Sequence, residues 1–160
     1  MSPVPVRSDG KISVLFICIG NSCRSIMAEG IAQLEAPDLL EPSSAGLSAL
    51  GSVADLTIKT LERNGYYARD LSSKRLTPEA WQAADIVINM SGYARHTAFP
   101  DFSKVEDWKI ADPYGADPKV YQRIFEEIQS NVWALISRIR EERHFAAHSH
   151  AGPSKAGERI

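Results

Sequence analysis

The chain has 160 residues, 44% of them hydrophobic and 24% charged, with a formal net charge of −2, the proportions of one globular domain and too short for two full cores. That balance excludes an electrostatic basis for nucleic-acid binding, and no apolar run approaches the roughly 20 residues needed to span a bilayer. Two cysteines, Cys18 and Cys23, are too few for a disulfide framework or a four-cysteine zinc site. With no secretory signal readable at the N-terminus, the expected setting is the reducing cytoplasm.

Residues 1–10 are polar with two prolines and read as a flexible leader. Ile12-Ser13-Val14-Leu15-Phe16-Ile17 is then short, β-branched and almost wholly apolar, the pattern of a strand covered on both faces. The turn-rich octet Cys18-Ile19-Gly20-Asn21-Ser22-Cys23-Arg24-Ser25 follows. After it, Met27, Ala28, Ile31, Ala32 and Leu34 fall at helical spacing up to Pro37. Ser43-Ser44-Ala45-Gly46 closes a second, weakly marked strand, and Val53 to Asn64 reads as a helix stopped by Gly65. Thr77-Pro78-Glu79 starts another helix with a threonine cap, and Asp85 to Met90 is the next strand. Ser91 to Phe99 suggests a short helix, and Lys109-Ile110-Ala111 a brief extended piece ending at Asp112-Pro113-Tyr114.

The final helix is expected from Pro118 to Arg143, with Val120, Ile124, Ile128, Val132, Leu135 and Ile139 as its apolar stripe. Residues 144–160 read as a flexible tail, leaving 11–143 as one domain. Alternating strands and helices predict an α/β fold: a parallel sheet with helices on both faces, in three α/β/α layers. Ligands in such sheets bind off the carboxyl ends of strands, which directs attention to the octet.

Gly20 allows a tight bend, Asn21 suits a left-handed backbone, and loop amides turned inward form an anion-binding nest. The helix starting near Ser25 aims free amides and its positive dipole end at the same point. A cysteine facing that field is driven toward thiolate. Arg24 can grip an oxyanion through two parallel hydrogen bonds, and Ser25 can donate to the sulfur. A nucleophilic sulfur in an oxyanion cradle, lined by Ile19, Gly20, Asn21, Ser22, Cys23, Arg24 and Ser25, is apparatus for attacking phosphorus. Taken alone, a cysteine after an apolar strand also serves as a small buried hydrophobe. The loop is neither a nucleoside-triphosphate nor a dinucleotide loop: Gly-Lys-Ser/Thr and Gly-x-Gly-x-x-Gly are both missing from the sequence. Phosphomonoester hydrolysis also needs an acid for the leaving oxygen and a base for water, and one carboxyl group can serve in turn. Asp112 is the candidate, although Asp-Pro also makes plain turns; Asp117-Pro118 is better placed to cap the final helix.

Val14 to Ser25 with Met27-Ala28-Glu29 resembles the signature of low-molecular-weight protein tyrosine phosphatases and of their thioredoxin-coupled arsenate reductase relatives. Ser44-Ala45-Gly46, Gly51, Leu61, Gly65 and Asp112-Pro113-Tyr114 follow in the family's order, so the resemblance runs from about Ile12 to Arg143. It implies a four-stranded parallel sheet of order 2-1-3-4 with the phosphate loop after the first strand. It further implies Cys18 as nucleophile through a phosphocysteine, Arg24 as phosphate clamp, Ser25 as thiolate stabiliser and Asp112 as acid then base. Asn21 would support the loop by bonding Ser44, Tyr114 would wall an aryl-phosphate slot, and Cys23 would be the redox partner of Cys18 under peroxide.

Three departures stand out. Ile26 replaces the family's usual proline, Gly115 follows Tyr114 where many members carry a second aromatic, and Ser91 follows Met90 where the reductases carry further cysteines. Asn21 to Ser25 and the Trp108–Asp112 segment nonetheless read like the reductase branch. With no third cysteine a self-contained thiol relay is impossible; an external thiol (glutaredoxin, glutathione or similar) is not. The expected activity is therefore a phosphatase on protein phosphotyrosine or small aryl phosphates. An external-thiol arsenate reductase and a non-catalytic oxyanion-binding domain are the alternatives. No metal or other cofactor is expected; the partners are a phosphotyrosine protein or a phosphate or arsenate oxyanion, the state a monomer or weak dimer. His96, His144, His148 and His150 read as surface residues. Trp81, Trp108 and Trp133 read as packing anchors, with Trp108 near enough in sequence to rim the cleft. Tyr66, Tyr67 and Tyr93 read as exposed or packing residues.

Overall fold

Every residue of β1 (Ile12–Cys18) is buried, as expected of a central strand whose two faces are both covered. The computed structural model describes the backbone of residues 10–158 and the side chains of residues 10–148. Chain order continues with α1 (Arg24–Glu35), β2 (Leu40–Gly46), α2 (Asp55–Arg63), α3 (Pro78–Ala83), β3 (Ile86–Asn89), α4 (Arg95–Ala98), β4 (Val105–Asp107) and α5 (Pro118–Glu158). The four strands form one sheet in the order β2-β1-β3-β4, all pairs parallel. This is the architecture the sequence implies.

Side chains of β1 alternate between two cores. Ile12, Val14, Phe16 and Cys18 face the larger one, packed with Ile26, Met27 and Ile31 of α1, Leu61 of α2 and Phe125, Ile128 and Val132 of α5. Leu15 and Ile17 face a smaller cluster with Val87, Phe99 and Val105, covered by Trp81 of α3 and Ala98 of α4. Full burial of a side chain such as Leu15 contributes about 1.5–3 kcal/mol, so β1 is the anchor of both layers. Ile26, at the proline position of the family pattern, lies fully buried in the larger core.

Helix ends follow local chemistry. Thr77 Oγ1 accepts from Ala80 N at 3.1 Å, and Asp117 Oδ1 from Val120 N at 3.0 Å, so both expected caps are formed. Gly65 stops α2 with φ of 89°, a conformation that favours glycine.

Two segments differ from the sequence reading. The fourth strand is Val105–Asp107 and not the Lys109–Ala111 piece, because only the former pairs with β3, Val87 opposite Val105. Lys109–Ala111 instead leads the chain across to the site. The last helix continues past Arg143 to Glu158, so the segment 144–158, read as flexible tail, is helical. Extending an existing helix needs no new nucleus and no apolar stripe, and Ala146 and Ala147 favour it intrinsically. The leader lies outside the described residues as far as residue 9. Among the described residues no helix is long and apolar enough to cross a membrane.

Candidate active site

Cys18 is the last residue of β1, in register with Gly46 of β2, and the loop that follows ends where α1 begins at Arg24. Asn21 has φ of 48°, the left-handed turn anticipated for it. Four of the loop carbonyls are tied to the segments that follow β2. Cys18 O accepts from Leu47 N, Ile19 O from Ser48 N, Gly20 O from Leu50 N and Ser22 O from Ala54 N. Ser73 Oγ adds a second bond to Gly20 O and Thr57 Oγ1 a second to Ser22 O. Among the described residues none of the peptide N–H groups from Ile19 to Arg24 has a protein acceptor, and carbonyls held from outside the loop leave those donors available on its inner side. The result is a nest of free donors.

Gly46 permits this closure. A Cβ there would stand 2.7 Å from Ile19 O and 3.0 Å from Asn21 N, contacts that rigid backbone cannot relieve cheaply. Arg24 is 4% exposed, and its Nη1 donates to Met90 O at 2.6 Å and Ile110 O at 3.2 Å. Among the described residues its buried Nε has no partner, so Nη1 is fixed while Nε is a donor without an acceptor. A buried donor in that state costs stability unless something binds it.

Cys18 Sγ lies 2.9 Å from Ser25 Oγ, and Ser25 Oγ also accepts from Asn21 Nδ2 at 2.7 Å. Asp112 Oδ2 stands 3.7 Å from Arg24 Nη2 with its side chain half exposed. Tyr114 N donates to Asp112 Oδ1 at 3.1 Å, which sets the carboxyl through the Asp112-Pro113-Tyr114 turn. Cys18, Ile19, Gly20, Ser22, Cys23, Arg24, Asp112 and Tyr114 line one cleft of about 280 Å³, joined by Ser48 and Leu50. The structure thus brings together most of the candidate residues; Asn21, Ser25 and Ser44 are buried and do not line the cleft.

Cys23 points elsewhere: its Sγ pairs with Tyr121 Oη at 3.3 Å, and both cysteines are free. Burial is the main cause raising the Cys23 thiol above its ordinary value, against the lowering hydrogen bonds of Tyr121 and Thr57. Burial likewise raises the Tyr121 phenol far above its ordinary value.

One implied contact is replaced. Ser44 does not bond Asn21; its Oγ donates to Glu29 Oε1 at 2.5 Å and accepts from Lys74 Nζ at 3.3 Å. Asn21 Oδ1 accepts instead from the Lys74 backbone N–H at 2.8 Å. The chain arriving from α2 carries Lys74 between the two, so Ser44 supports the loop through a neighbour. Trp108 is a packing anchor against Phe16 and does not line the cleft. Sequence reasoning named Gly46 only as a strand end and part of the family's order, and missed Ser48, Leu50, Thr57, Ser73 and Lys74. Of these five only Leu50 carried a signal, an apolar residue set in a serine- and glycine-rich stretch.

A strand-terminal thiol, a following loop whose N–H groups have no acceptor among the described residues, and a buried arginine in one cleft make a candidate oxyanion site. The chain belongs to the low molecular weight phosphotyrosine protein phosphatase family, whose model matches residues 13–145. It is 32% identical over 131 residues to arsenate reductase 1 of Staphylococcus epidermidis, covering 81% of this chain and 98% of that one. It is 31% identical over 140 residues to the probable low molecular weight protein-tyrosine-phosphatase EpsP of Ralstonia nicotianae, covering 80% and 96%. The crystal structure of the low molecular weight protein tyrosine phosphatase from T. tengcongensis superposes with a TM-score of 0.73 at 28% identity, covering 79% and 99%.

Proposed function

We propose that the protein is a cysteine-dependent phosphomonoesterase acting on protein phosphotyrosine or small aryl phosphates. The observation that carries this reading is the unpartnered Nε of buried Arg24 in the same cleft as Cys18 and Asp112. The phosphoryl oxygens would be held by the N–H groups from Ile19 to Arg24 and by that guanidinium edge, donors fixed before the substrate arrives. Cys18 thiolate attacks phosphorus, the bond to the leaving oxygen breaks, and Asp112 delivers its proton to that oxygen. In the second step Asp112 carboxylate takes a proton from water as the water oxygen attacks phosphorus. The sulfur–phosphorus bond breaks, thiolate is restored and inorganic phosphate leaves. Ser25 stabilises the departing sulfur, and Tyr114, 61% exposed beside Asp112, walls the aryl group together with Leu50. On the same reading, peroxide oxidises Cys18 to a sulfenic acid and Cys23 displaces water from it to close a reversible disulfide.

Arsenate reduction by an external thiol is the second reading, favoured by the relatives that are named arsenate reductases. Arsenate has nearly the shape and charge of phosphate, so the cradle accepts both. The absence of a third cysteine from the sequence favours the hydrolase, since no internal dithiol remains to carry electrons away from Cys18 and Cys23. A side-by-side assay separates them: release of nitrophenol from para-nitrophenyl phosphate against arsenate-dependent oxidation of glutathione with glutaredoxin. Turnover of the ester that Cys18→Ser abolishes supports the phosphatase. Arsenate-dependent thiol oxidation with negligible ester hydrolysis overturns it.

A further inference from the structure

Behind the cleft, polar side chains of three segments meet. Glu29 of α1 and Ser44 of β2 are both buried. Lys74, between α2 and α3, donates from Nζ to Ser44 Oγ at 3.3 Å and Ser72 O at 2.8 Å and sits 3.7 Å from Glu29 Oε1. The same residue's backbone holds the loop. Its N–H donates to Asn21 Oδ1 at 2.8 Å and its carbonyl accepts from Gly46 N at 2.9 Å.

The direction of each bond follows from the donors available. Because Asn21 Oδ1 is occupied by the Lys74 N–H, the amide presents Nδ2 to Ser25 Oγ, 2.7 Å away. A serine oxygen that accepts there keeps its own hydrogen for Cys18 Sγ at 2.9 Å. A thiolate has no hydrogen to give, so Ser25 must be the donor when Cys18 is ionised.

We infer that Lys74 is a positioning residue for Cys18: its ammonium, held by Glu29 and Ser44, fixes the turn whose N–H orients the Asn21–Ser25–Cys18 relay. This rests on Cys18 being the reactive thiol and not on which oxyanion is the substrate. The titratable groups around the sulfur are Arg24, Cys23 and Asp112, and among the described residues none of the three bonds Lys74.

The test is alkylation of Cys18 by iodoacetamide across pH, read at Cys18 alone by peptide mass spectrometry, with thermal unfolding measured in parallel. This needs no substrate, so it stands apart from the phosphatase assay. Lys74→Met is expected to slow Cys18 alkylation at neutral pH by roughly tenfold, the scale of one hydrogen bond to a charged group, and to shift the profile to higher pH. Lys74→Arg is expected to restore the parent profile. Where Lys74→Met fails to fold, Lys74→Gln, which keeps a polar head without the charge, carries the same expectation. A lower Tm with an unmoved alkylation profile overturns the inference, as does loss of reactivity in Lys74→Arg equal to that in Lys74→Met.

Discussion

Gly46 lies against Ile19 so closely that a Cβ would come within 2.7 Å of the Ile19 carbonyl oxygen. The closure of the loop between Cys18 and Arg24 therefore depends on a residue of the neighbouring strand. Gly46→Ala is expected to displace the loop, lowering kcat/KM on aryl phosphates at least tenfold and stability by about 1–3 kcal/mol, the usual cost of overpacking. Inorganic phosphate inhibition and thermal unfolding of the variant check both. Parent-like values would show that the loop gives way freely.

Arg24 is held through Nη1 by the Met90 and Ile110 carbonyls and stands 3.7 Å from Asp112 through Nη2, while its Nε has no partner among the described residues. Lysine offers a point charge and cannot make both sets of bonds. Arg24→Lys is expected to cut kcat by roughly 10²–10³, the scale of losing a positioned oxyanion donor. It should also weaken competitive binding of phosphate, measured by inhibition kinetics.

Asp112 reaches the cleft from the loop after β4 and its carboxyl is set by Tyr114 N. If it protonates the leaving oxygen, Asp112→Asn should matter most when that oxygen is basic. Across a series of aryl phosphates the variant is expected to lose about 10²–10⁴ with poor leaving groups and far less with nitrophenol. An equal loss across the series would assign Asp112 to binding.

The fold favours the neutral forms of Cys23 and Tyr121, whose ordinary values of 9.0 and 10.0 are both raised. Below about pH 9 both states keep these protons and the stabilisation is fully present. As pH rises further the unfolded chain ionises first, so stability falls until the folded groups also titrate. Urea unfolding midpoints should therefore drop on the alkaline side, and more shallowly in Cys23→Ala. Parallel curves for parent and variant would contradict the assignment to Cys23.

How far these features can be read from sequence depends on whether neighbours in space are neighbours in the chain. β1, the loop and the start of α1 form one continuous stretch, so Cys18, Asn21, Arg24 and Ser25 announce themselves together. β2 was faint because it is an edge strand, met on its outer side only by a single bridge from Gly46 to Arg75, and carries exposed Glu41 beside Pro42. β4 is three residues long with only Val105 buried, too little for a period to show. The substitution of Lys74 for Asn21 as the partner of Ser44 was hidden for another reason. Nothing in the sequence pairs Glu29 of α1 with Lys74 of the segment after α2 until the fold brings both to Ser44 of β2. Gly46 was visible as a residue, but the close approach that requires it exists only in three dimensions.

The central claim is a covalent bond between phosphorus and Cys18. Asp112→Asn should slow breakdown of that bond, so the direct measurement is rapid acid quench of this variant with para-nitrophenyl phosphate, followed by intact-protein and peptide mass spectrometry. The expected result is one phosphoryl group per chain, located on Cys18 and lost when Cys18 is replaced by serine. Undiminished turnover by Cys18→Ser, or a phosphoryl group found on another residue, would contradict it.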